Sequence, residues 1–132
     1  MTTAIICTGI LAAMVFLLGF NVSRLRGVVG KAGGSQLSTE PTNPLFVAIR
    51  THGNAIEYIP TLIILFLLVG ARSPAAVAIP LIVGATAARV LHAVGMLRGQ
   101  NLAAETPARL IGAIGTYGFG VALAVAATVS WL

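Results

Sequence analysis

Arg50, Asn54 and Glu57 place a guanidinium, an amide and a carboxylate at i, i+4 and i+7 of the stretch RTHGNAIEYIP, which runs on into the oily TLIILFLLVGA. On an α-helix these three side chains fall within about 60° of one another, while His52 points to roughly the opposite side. A charged stripe on a helix of membrane-spanning length must face protein, water or ligand, because lipid gives neither charge a partner. Two readings follow: an internal Arg50–Glu57 ion pair that braces a bundle, or one wall of a site for a charged ligand.

Other segments add to the same chemistry. Arg89 and His92 lie one turn apart on a later apolar segment, Arg109 opens the last one, and Arg24 closes the first within RLR. Several cations with one acid suit an anion that has a cationic corner: arginine forks bind carboxylates bidentately, and Glu57 matches an ammonium group. Glutathione, with two carboxylates, an ammonium group and a thiol, has that form, and phosphate-headed lipids also suit arginines. An arginine beside a bound thiol favours the thiolate below the usual pKa of ~8.5, which gives a nucleophile for conjugation or peroxide reduction. Hydrophobic electrophiles would then enter directly from the bilayer. Two histidines on different segments with one nearby acid make no recognisable metal-ligand set, and no Ser or Cys sits near a base in a triad-like pattern. Cys7, in an apolar run, reads as a small buried or lipid-facing hydrophobe.

The elements that must hold these residues are membrane helices. Hydrophobic residues make up 58 % of the 132-residue chain and charged ones 8 %, against roughly 25 % charged in an ordinary soluble domain. Four spans of about 20 residues fit with short connections, so the expectation is an all-α integral membrane protein, a single antiparallel four-helix domain over 1–132 with spans at about 3–26, 44–71, 75–97 and 107–131. The first connection, rich in Gly, Ser and Thr, reads as flexible. Asn43-Pro44 and Thr106-Pro107 have the form of helix starts. Pro60 and Pro80 each remove a helical hydrogen bond and predict kinks in the second and third spans. Gly112, Gly115, Gly118 and Gly120 suit close helix packing in the fourth.

Because the second and third spans form a hairpin about Arg72-Ser73-Pro74, the polar start of one and the polar end of the other share a membrane level. The net charge of +5 is scattered, without a basic run and interleaved aromatics, and nucleic acid is not the expected partner. Arg24, Arg26, Lys31 and Arg98 lie on the side of the first and third connections, whereas Arg72 stands alone on the other side. The positive-inside tendency makes the first side cytoplasmic and leaves both termini outside.

Written as R-x-H-x-N-x-x-E-x-x-P, the second span resembles the signature of the MAPEG family, the membrane-associated proteins of eicosanoid and glutathione metabolism, and the chain is most similar to its short bacterial members. The resemblance implies a homotrimer in a bacterial inner membrane, with glutathione as co-substrate bound between subunits on the cytoplasmic side. The implied activity is that of a glutathione transferase or peroxidase acting on lipophilic electrophiles. It also implies that Arg24, Arg50, Asn54, Glu57, Arg89 and His92 bind glutathione and that Arg109 stabilises the thiolate. Two positions depart from the family pattern: Gly53 stands where some members carry a second arginine, and Met96 where the prostaglandin synthase branch has tyrosine. Both put eicosanoid-type activity in doubt. The alternatives are a non-catalytic member that binds a lipid or partner protein in the same cleft, and a small efflux transporter, against which the first span's lack of an acid counts.

Overall fold

The computed structural model describes residues 1–37, 39–99 and 101–132; Ser38 and Gln100, in two of the expected connections, lie outside the described residues. The chain forms four helices, α1 (Thr2–Lys31), α2 (Pro44–Arg72), α3 (Ala75–Arg98) and α4 (Pro107–Trp131). All four are long and apolar enough to cross a membrane. The largest departure from the sequence reading is α1, which continues five residues past Arg26 through Gly27 and Gly30. Each glycine costs a helix about 1 kcal/mol against alanine, but Val29 packs against the cluster of Val22, Leu45 and Ala48 and holds the extra turn. The helix stops only near Gly33, whose φ of 70° is left-handed and free of strain in glycine alone.

The starts of α2 and α4 are fixed by side chains. Asn43 Oδ1 accepts from the Leu45 and Phe46 amides at 2.9 and 3.3 Å, with Pro44 at the first helical position, where no N–H is needed. Thr106 Oγ1 accepts from the Arg109 amide at 3.4 Å and reaches the Gly95 carbonyl at 3.5 Å, which ties the start of α4 to the end of α3. Both α2 and α3 remain continuous through Pro60 and Pro80.

Among the described residues α2 and α3 touch every other helix, whereas α1 and α4 make no contact with each other. To the larger of two core clusters each helix sends a fully buried residue: Leu11, Phe66, Ile82 and Leu123. Phe16, Phe20, Ile64, Ile114 and Val129 stand outward and exposed, as suits helices whose outer faces meet lipid. The α3–α4 crossing is the tightest contact. A Cβ on Gly112 would lie 2.6 Å from the His92 backbone nitrogen, and one on Gly95 2.6 Å from that of Arg109. Gly115 is also close, to Ala88, but Gly118 has nothing within 4 Å and Gly120 meets only Leu62 at 4.0 Å. Two of the four glycines expected to pack therefore do so closely.

Candidate functional site

A cleft of about 550 Å³ opens where the start of α2, the end of α3 and the start of α4 meet. Its roof comes from the two connections on that side: Thr39 and Pro41 from one, Leu102, Ala103 and Glu105 from the other. The Leu102 amide donates to the Pro41 carbonyl at 3.0 Å and pins the two together. Arg50, Asn54, His92 and Arg109 line the walls with Met96 and Tyr117. Four residues singled out by type and spacing thus converge on one space.

Arg89 does not line it. Its side chain is 1 % exposed, and its work is to hold the wall: Nη2 donates to Asn54 Oδ1 at 2.8 Å and to the Asn54 carbonyl at 3.3 Å, while Nη1 reaches Thr116 Oγ1 at 3.5 Å. The guanidinium also stands 5.1 Å from the centre of the Tyr58 ring, and Nε is buried without a hydrogen-bond partner among the described residues. One arginine thereby couples α2, α3 and α4. Asn54 gives its oxygen to Arg89, so the donors of its amide are what it can offer the cleft.

His92 is likewise committed on one side. Its Nδ1 lies 2.8 Å from the Arg109 carbonyl; a carbonyl only accepts, so Nδ1 carries the proton, and in the neutral ring Nε2 is the acceptor. The bond seats the first turn of α4 against α3, at the level where Gly112 lets the backbones close. Arg109 is held in turn: Nη1 donates to the Leu102 carbonyl at 3.0 Å, and the rest of its fork is left for a ligand. A buried histidine and a roof carbonyl together fix where that guanidinium stands.

Two further expected residues fall elsewhere. Glu57 is exposed and does not line the cleft, and among the described residues it forms no ion pair with Arg50, so the bracing pair expected as one reading is not formed. The Arg50–Glu57 span of seven residues keeps them on one stripe and both are exposed, since Ala55, Ile59 and Leu62 take the buried face, but only Arg50 borders the cleft. Arg24 donates to Asn21 Oδ1 at 2.9 Å and lines a different cavity of about 640 Å³ with Leu25, Pro44 and Leu97. His52 packs on α1, its Nε2 3.3 Å from where a Cβ on Gly19 would stand. Conversely, Glu105 and Tyr117 line the cleft without having been singled out. Glu105 is one residue from the Thr106 cap, and Tyr117 lies eight residues beyond Arg109, two turns and about 80° round the helix, still on the same broad face; the helical period could have found the second.

Among the described residues no group of three or more His, Cys, Asp or Glu side chains comes together. Arranged this way, the cleft presents cations and amide donors to an anion on one side and a carboxylate, Glu105, on the roof. The model of the MAPEG family matches the chain over residues 4–129. Against individual curated proteins there is no match.

Proposed function

The chain belongs to the MAPEG family and is an integral membrane protein of four helices, and from that premise we propose that it binds glutathione in the cleft and uses the thiolate to attack lipophilic electrophiles or hydroperoxides. The observation that carries the reading is the convergence of Arg50, Asn54, His92 and Arg109 on one space of about 550 Å³. The Arg50 guanidinium fits one of the tripeptide's carboxylates bidentately, and an acid on the roof fits its ammonium group. Arg109, seated by His92 and Leu102, is the group assigned to the thiolate, since a fixed cation costs no reorganisation as the charge develops.

The site is shared between subunits of a homotrimer in this reading. Arg24 and Glu57 support it, because both belong to the charged set yet stand outside the cleft of a single subunit, where a neighbour could use them. The cleft faces the cytoplasm of a bacterial inner membrane, with both termini outside, on the strength of the basic residues that flank it. The domain is the whole chain.

Calorimetric titration of glutathione into the detergent-purified protein tests the proposal, beside Arg50→Ala and Arg24→Ala. Binding that weakens about tenfold or more in each variant, the loss of roughly one charge-assisted contact, supports a shared site. Absence of binding by the wild type at millimolar concentration, a weak limit for a specific small ligand, overturns it. Met96 in the cleft wall, where a hydroxyl would have supported a thiolate, favours the second reading: a non-catalytic member that holds an anionic lipid or a partner protein there. Lipid identified in the purified protein by mass spectrometry, with no glutathione bound, would select that one.

A further inference from the structure

A thiolate held by arginines and an electrophile dissolved in lipid can react only where a polar cavity meets an apolar one. The cleft ends at Tyr117, and there a second groove begins. It has a volume of about 280 Å³, lies between α2 and α4, and is lined by apolar side chains that include Leu62, Leu65 and Val121. Among the described residues Tyr117 is the one common to both linings. Its hydroxyl is 3.3 Å from that of Tyr58, with the rings edge to face at 5.8 Å. Of two hydroxyls at that separation one donates to the other, and the one that accepts keeps its own proton for a third group. Tyr58 in turn has the Arg89 guanidinium against its ring, so the pair is anchored to the same arginine that holds Asn54. Met96, across the cleft, has no proton to give.

We propose that the Tyr117 hydroxyl, at the junction of the two cavities, is the proton donor to the oxygen that leaves carbon when an epoxide is opened there. The inference rests on the thiol-transfer reading above. In the step, the thiolate sulfur forms a bond to one epoxide carbon as that carbon's bond to oxygen breaks. The oxygen takes the electron pair and the Tyr117 proton. The proton lost earlier by the thiol returns to Tyr117 through solvent or Tyr58, so the net change is addition of S–H across a C–O bond, with no oxidant or reductant needed. Tyr117 touches the reacting oxygen and is a catalytic residue; Tyr58, which acts through it, is a positioning residue.

The test compares two probes in the intact, detergent-purified protein with glutathione: styrene oxide, whose leaving oxygen needs a proton, and chlorodinitrobenzene, whose leaving chloride does not. Tyr117→Phe is expected to lower the ratio of epoxide to aryl halide turnover by about 100-fold, the low end for loss of a positioned general acid, and Tyr58→Phe to lower it less. Equal loss of both reactions would make Tyr117 a packing residue and overturn the proposal, as would an unchanged ratio. Calorimetry on the same preparations separates the two levels. A wild type that binds glutathione while Tyr117→Phe leaves the ratio unchanged sinks the tyrosine assignment alone, whereas a wild type that binds no glutathione sinks the thiol reading and this inference together. Thermal melting of Tyr117→Phe shows whether the fold is kept.

Discussion

Arg89 and Arg72 lie at opposite ends of the same bundle and solve the problem of a membrane cation in opposite ways. Arg72, at the water edge of α2, is exposed and lies over the Trp131 ring at 4.3 Å, beside a Ser73–Ser130 hydroxyl contact of 2.6 Å. Arg89 is fully buried, has oxygen acceptors from Asn54 and Thr116, and among the described residues forms no ion pair with a carboxylate. The first arginine is satisfied by solvent and an aromatic face, so little depends on it. The second is shut away from bulk solvent and ties three helices together. The polar third of the bundle is thus held by directional bonds from a buried side chain to oxygens of two other helices, and the rest mainly by packing, with the Ser73–Ser130 contact at the opposite end.

That difference sets an order of effects. Arg89→Ala should be the most damaging change, costing about 3 kcal/mol because it opens a cavity and strips Asn54 of its donor; thermal unfolding in detergent would show it as the largest fall in Tm. Gly112→Ala should cost about 2 kcal/mol through overpacking against the His92 backbone, whereas Gly118→Ala, into open space, should change stability by less than about 0.5 kcal/mol.

His92 gives a finer division. His92→Ala should lose about 1 kcal/mol with its bond to the Arg109 carbonyl, and His92→Asn, whose amide can donate from nearly the same place as Nδ1, should recover most of it; paired melts of the two variants measure the recovery. Smallest of all, Arg72→Ala should cost about 0.5 kcal/mol, the value of an exposed cation–aromatic contact, and leave glutathione affinity as it was. A large loss there would erase the contrast between the two ends.

Much of this was legible in the chain. Hydropathy marked four helices, the Asn43-Pro44 and Thr106-Pro107 pairs marked two starts, and residue type with spacing marked Arg24, Arg50, Asn54, Glu57, Arg89, His92 and Arg109 as a set, of which Arg50, Asn54, His92 and Arg109 line the cleft. What sequence could not assign was which polar side chains face a ligand and which face each other. Arg89 and Asn54 are 35 positions apart, and only the α2–α3 packing shows that one holds the other. The end of α1 was missed because glycine content argued for a loop while the apolar contacts of Val29 were non-local. Glu57 shares a stripe with Arg50, but which part of that exposed stripe borders the cleft depends on where neighbouring helices and connections lie, and that information is tertiary. Tyr117 drew no notice because an aromatic in an apolar helix is ordinarily a packing residue.

The central claim is that the cleft turns a bound thiol into a thiolate through an arginine fixed in place. The most direct measurement is the ultraviolet thiolate absorbance of glutathione followed against pH with the wild type and with Arg109→Ala. Bound glutathione should ionise at least about one pH unit below the free thiol's ~8.5 in the wild type, and the shift should vanish in Arg109→Ala while binding persists. Glutathione that binds but ionises as it does in water, or a shift that survives removal of Arg109, would contradict the account.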